Sequence, residues 1–342
     1  MKSKILLITI ILLSAITIWT ACKKDNSSDS NPTTTDVSTQ SATQASDQSM
    51  VTNEIDNVTN DINSSIEVSP SLTGNSISES YHENISTNAV ISVDSTFNGV
   101  HLPSLCGATI TYDTSSNNKN VTITYSGISC NGKTSRSGVV KYSIPVGTKW
   151  KTAGAALTVT YQNYKVVRLI DNKSIIINGN ETFTNVSGGL LINLATLKTV
   201  THSITSGGLN VVFTDSTGTS QQGTWQISKQ RVYTYNGSIL ITTTGTYSDN
   251  SVSGIAEWGT NRYGNSFTTA ITQPIIEDQG CDFRITGGQV QQVQDTKPKI
   301  TVTTTFGLDS TGNPTSCPGT GNYYMSITWT YANQSYTKIK PY

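Results

Sequence analysis

The sequence predicts an all-β protein: a large antiparallel meander, closed as a sandwich or as an open or closed barrel, with one amphipathic helix on its N-terminal side. Three observations predict it. Beyond about residue 89, apolar residues alternate with polar ones, most often Thr, at a period of two. Clusters of Gly, Ser, Asn and Asp interrupt that alternation at short intervals, as turns do. Charged residues make up only 13% of the chain, against about 25% in ordinary globular domains. Thr, Ser and Asn stand in their place, and these favour strands and turns.

In chain order, Met1 to Lys4 supplies two positive charges and Ile5 to Ile18 an apolar run, closing on Trp19-Thr20-Ala21-Cys22. A basic front, a short apolar stretch and small residues before a cut form a secretory signal, not a spanning helix. A Cys directly after that cut is what lipidation requires, so residues 1–21 read as a lipoprotein signal peptide and Cys22 as the acylated residue. Losing Lys2 and Lys4 with the signal would leave 20 basic against 22 acidic residues. That balance offers no basic stripe for nucleic acid. Cys22-Lys23-Lys24-Asp25 resembles the start common among Bacteroidota lipoproteins. The resemblance implies an outer-membrane protein displayed on the cell surface, with the periplasmic face as the alternative.

Residues 22–49 read as a disordered tether, since Ser, Thr, Asn and Gln dominate and almost nothing apolar is present. Residues 50–67 carry Val51, Ile55, Val58, Ile62 and Ile66 at helical spacing, with Ser46 or Asp47 available as a cap. Such a helix should dock on the sheet; a short coiled coil is the competing reading.

The β domain, residues 68–342, begins with the pairs 108–112 and 121–125, alternating Ile110 and Tyr112 with Thr109 and Thr111. Further strands are expected at 139–144, 157–161, 164–170, 174–178, 190–194, 200–205, 209–214, 224–228 and 231–235. The last are expected at 238–243, 253–258, 267–272, 283–293, 299–306 and 323–331. With Cys22 committed to lipid, Cys106 and Cys130 flank the first hairpin almost symmetrically, and Cys281 and Cys317 pair by elimination. No Cys-x-x-Cys occurs, and His82, His101 and His202 lie far apart, so no metal site and no cofactor is expected.

Candidate chemistry is thin. Glu257 beside Trp258, and the pair Glu277-Asp278, stand out among the acids. Glu257 reads as an outward strand residue next to a buried Trp. No Gly-x-Ser-x-Gly and no phosphate-cradling loop is present, so no catalytic residue is assigned and no enzyme is expected. The aromatic residues point to binding: fifteen Tyr and five Trp outnumber six Phe, so most rings carry a polar handle. Trp225, Tyr233, Tyr235, Trp258, Trp329 and Tyr331 are the candidate ligand-binding rings, and Arg136 and Arg262 the candidate anion contacts. Three Asp-Ser-Thr triplets, starting at Asp94, Asp215 and Asp309, look like glycosylation signals of exported Bacteroidota proteins.

Three segments carry a family resemblance. These are Cys130-Asn131-Gly132-Lys133-Thr134-Ser135-Arg136-Ser137-Gly138, Leu157 to Val166, and Gly259-Thr260-Asn261-Arg262-Tyr263-Gly264. They resemble recurring segments of uncharacterised Bacteroidota lipoproteins over residues 50–342, with the Asp usual after the first Cys missing here. The resemblance implies no activity; Gly132 and Gly264 suit turns at positive φ. The expected role is non-catalytic binding or structure in the envelope: membrane attachment through lipid, with a glycan or another envelope protein as partner. The alternative is an apolar-ligand carrier with a half-barrel cavity, and a glycoside hydrolase comes last.

Overall fold

The computed structural model describes residues 34–74, 96–97, 100–102, 104–113, 118–249, 251–297, 299–317, 321–331 and 334–342. Cys22, the signal peptide and Asp94 lie outside these residues. Helix α1 spans Thr34–Glu67 and α2 spans Pro70–Thr73; β1 (Thr96–Phe97) and β2 (Val100–His101) form a small separate hairpin. The main sheet has fifteen strands, all antiparallel. Its first half is a plain meander: β3 (Ala108–Asp113), β4 (Asn118–Ile128), β5 (Thr134–Pro145), β6 (Ala155–Arg168), β7 (Ser174–Asn185), β8 (Thr199–Thr214) and β9 (Ser220–Tyr235). Its far half is another: β13 (Ser266–Asp278), β14 (Arg284–Gln294), β15 (Ile300–Leu308), β16 (Tyr324–Tyr331) and β17 (Gln334–Pro341).

Between the halves, β10 (Ile239–Gly245) and β12 (Val252–Thr260) share one slot end to end. β12 pairs with Thr224–Ile227 of β9, and β10 with Lys229–Tyr235. Both then pair with β13, which closes a four-strand circuit. The chain between them leaves the sheet as a flap formed by β11 (Tyr247–Asp249) and the start of β12. Gly245 permits this, because a Cβ there would collide with the Gly254 carbonyl.

The all-β antiparallel expectation therefore holds, as one long sheet and not a two-sheet sandwich. Several expected breaks are absent. Residues 157–161 and 164–168 lie on the single strand β6, which ends at Arg168, short of the expected 170, and 200–205 and 209–214 lie on β8. β-bulges at Tyr161/Tyr164 and Ser206/Leu209 absorb the polar and Gly residues that read as turns. Residues 190–194 are not a strand. They form a 3₁₀ turn at Leu191–Asn193 running into α3 (Leu194–Leu197), because Leu190, Leu191, Ile192 and Leu194 are all buried and a strand would expose half of them.

α1 lies against the buried face of the sheet. Val51, Ile55, Val58, Ile62 and Ile66 are fully buried in the main core, so the helix docks as expected. It also starts much earlier than residue 50: residues 34–49 of the expected tether are helical, and Ser46 and Asp47 sit inside the helix, not at its cap. The early turns are held by packing that composition does not reveal. Ala45 joins Ile300, Val302, Met325, Ile327 and Trp329 in a second apolar cluster under β15 and β16. No described helix is long and apolar enough to cross a membrane.

Both expected disulfides form. Cys106–Cys130 and Cys281–Cys317 have Cα separations of 5.1 and 5.3 Å. The first closes a loop of 24 residues between the lead-in to edge strand β3 and the β4–β5 turn. Replacing both its cysteines with Ala should lower stability by about 3 kcal/mol in the chain-entropy model. Urea denaturation measures this, and an unchanged midpoint would contradict it.

Candidate functional site

Much of the polar face of α1 is buried as well, and the sheet supplies partners from several strands. Asp47 takes both Arg262 bonds at 2.6 Å, and Tyr164 donates to Glu54 at 3.0 Å. Arg136 and Tyr125 both donate to Asp61 at 2.8 Å. Asn63 donates to the Tyr233 hydroxyl, and the Leu191 backbone N–H donates to Glu67. The two candidate anion-binding arginines are thus occupied by carboxylates of the chain's own helix.

Strand register decides the fate of the candidate rings. On β9 the inward set is Trp225, Ile227, Lys229, Arg231 and Tyr233. Trp225 and Tyr233 are therefore core residues, and Trp225 donates its indole N–H to Glu257 at 2.7 Å. Trp329 is buried in the second cluster and stacks on Tyr336; Tyr235 is half-buried against the main core. The Tyr331 side chain lies outside the described residues. An exposed row of these rings does not form.

Glu257 and Trp258 reverse the expected orientation. Glu257 points inward, where Lys229 reaches it at 2.5 Å and Gln48 and Thr52 donate to it. Trp258 points outward. Glu277 is also internal, paired with Arg231 at 2.8 Å, and burial pushes its carboxyl up to about 7. His202 packs among Trp150, Phe183 and Tyr233; burial, aided by the nearby Arg231 charge, pulls its pKa down to about 3 and keeps the ring neutral. The carrier reading placed its cavity where α1 packs against the sheet. The void between α1 and β13–β15 holds about 30 Å³, room for roughly one water.

The outer face offers a better site. At Ser206-Gly207-Gly208, β8 bulges away from both β7 and β9. The opening is a groove of about 420 Å³. Trp258 forms one wall, held in place by Tyr247 of the flap, which stacks on it with ring centroids 4.4 Å apart. The rim carries the hydroxyls of Thr158, Thr182, Thr205, Ser206 and Ser228 and the amide of Asn180. Glu181, 3% exposed, lines the groove from beneath. Its Oε1 accepts a hydrogen bond from the Tyr161 hydroxyl at 2.9 Å, while Oε2 has no partner. Burial pushes this carboxyl up to about 7, with the Tyr161 bond and the Lys229 charge acting the other way.

Of the candidate residues, only Trp258 reaches this groove. Glu181 was missed because nothing in its local sequence, Asn180-Glu181-Thr182, separates it from a surface strand residue; the Gly207-Gly208 pair was the readable trace of the opening. The Asp-Ser-Thr triplets at Asp215 and Asp309 are turn caps. In each, the Asp carboxylate accepts the backbone N–H of the Thr two residues on. Compared with protein-family models, curated proteins and solved structures, the chain gives no match.

Proposed function

We propose that this chain is a lipid-anchored protein of the bacterial outer envelope, displayed at the cell surface, that binds glycans without chemically altering them. The groove on the outer face carries the reading. An aromatic wall beside a rim of hydroxyls and an amide is the combination that takes a sugar ring, apolar on its face and hydrogen-bonding at its edge. Glycoside cleavage uses a pair of carboxylates, and Glu181 is the only acid among the groove residues, which favours binding over hydrolysis. Attachment rests on the signal-like residues 1–21 and on Cys22.

A glycan-array screen of the full-length chain, purified in detergent with its disulfides intact, tests the reading. Saturable binding is expected, weakened about ten-fold by Trp258→Ala, which removes the stacking wall at a cost of about 1.4 kcal/mol. Because Trp258 is half-exposed, the variant should fold. Silence across every glycan would sink the proposal, and so would binding that Trp258→Ala leaves intact.

A further inference from the structure

The charges beneath the groove do not balance. Lys229 lies 2.5 Å from Glu257 and 4.0 Å from Asp56, and its charge also acts on Glu181. Three carboxylates thus lean on one ammonium group, and Arg231, paired with Glu277, also acts on Asp56, so the described cluster sets four acids against two cations. The three are unequally satisfied. Glu257 accepts from Gln48, Thr52, Trp225 and Lys229. Glu181 has the Tyr161 hydroxyl alone, and it is the member that lines the groove. A buried carboxylate with a free oxygen is costly until it meets a proton or a cation. Among the described residues, no Lys, Arg or His lines the groove to attract an anion. Trp258 adds an aromatic face, which favours a cation over a neutral group.

We propose that the groove selects a glycan bearing a free primary amine, whose ammonium group pairs with the Glu181 carboxylate beside the Trp258 ring. The inference rests on the glycan reading above and adds the charge of the ligand. A charge-assisted bond to the carboxylate is about twice as strong as one from a sugar hydroxyl, so the amine sets the preference and the rim hydroxyls set the fit.

Isothermal titration of the full-length protein with a chitosan hexamer and with its fully N-acetylated counterpart tests this. Acetylation removes the charge and keeps the sugar backbone. The free-amine hexamer should bind at least about ten-fold tighter, a gap of some 1.4 kcal/mol, and Glu181→Gln should erase the gap. Gly207→Leu should block both hexamers; a Cβ at Gly207 meets nothing within 4 Å and its backbone is not left-handed, so the side chain can occupy the groove without strain. Equal affinity for the two hexamers would overturn the amine proposal and leave the glycan reading standing. A preference that persists in Glu181→Gln would overturn it as well. Failure of both hexamers and of every arrayed glycan would remove the glycan reading itself. Should Glu181→Gln not fold, the two hexamers on the unaltered protein decide alone.

Discussion

Replacing Arg136 with Met is expected to destabilise the protein by about 3–5 kcal/mol, among the largest effects of any single side chain here. Arg136 is 4% exposed and bonds Asp61 of α1 at 2.8 Å. Its other terminal nitrogen donates to the Cys106 carbonyl at 3.0 Å, and its guanidinium lies over the Tyr125 ring. One side chain therefore joins the helix, the lead-in to edge strand β3 and the first hairpin. Burial already raises the Asp61 carboxyl, opposed chiefly by Arg136. Without the arginine, Asp61 must take up a proton or stay charged in an apolar interior, and both cost free energy. Isosteric removal of both charges is far milder. Arg136→Met combined with Asp61→Leu and Tyr125→Phe, which also removes the hydroxyl left without its acceptor, should recover most of the loss. Urea denaturation of the set reads the coupling directly. A cost below about 1 kcal/mol for Arg136→Met would mean that Asp61 relaxes into water and that α1 is held by its apolar stripe alone.

That coupling marks where the sequence stops being readable. Period-two alternation exposed most strands, and the stripe from Val51 to Ile66 the helix, because each of these has one buried face; β11 and β17, which have no buried residue, went unread. Gly132 and Gly264 were readable as turns, and both adopt positive φ. Alternation says nothing about whether the polar half of a helix faces water. Glu54, Asp61 and Glu67 look like ordinary solvated residues until Tyr164, Arg136 and the Leu191 backbone are brought to them by strands far away in the chain. The same blindness misplaced Arg262, whose partner Asp47 is 215 residues distant. It also reversed Glu257 and Trp258, since both β9 and α1 must be present before an inward Glu finds Lys229 and Gln48. The Cys106–Cys130 disulfide was legible because hairpin symmetry is local, and Cys281–Cys317 followed by elimination. The groove was not, because it arises where one bulge in β8 departs from two neighbours at once.

An interior packed with buried carboxylates has an unusual consequence for pH: the protein should be most stable in mild acid, between about pH 4 and 5, and lose stability as pH rises toward 8. The cause is burial. It raises Glu67 to about 8, Glu181 and Glu277 to about 7, and Asp47 to about 6. A carboxyl whose pKa is higher folded than unfolded favours the folded state while protonated. That contribution is complete below the unfolded value near 4 and is lost as pH climbs through the folded one. Glu67 leads, because its Oε1 accepts the Leu191 N–H while Oε2 has no partner. At about 1.36 kcal/mol per unit, ionising it costs on the order of 5 kcal/mol at most. His202 opposes the trend, since its lowered pKa costs stability as pH falls below the ordinary value of 6.5. Between pH 8 and 5 four acids gain against one histidine, so the acids win. Below about 4.5 they are saturated and His202 continues to lose, which sets the optimum. Thermal melts from pH 4 to 9 should therefore peak between about pH 4 and 5, and Glu67→Gln, which keeps the acceptor for Leu191, should raise the midpoint at pH 8 and leave it nearly unchanged at pH 4.5. A midpoint that rises steadily to pH 8 in the unaltered protein would mean that water reaches the polar face of α1, and that its carboxylates are ionised where they sit.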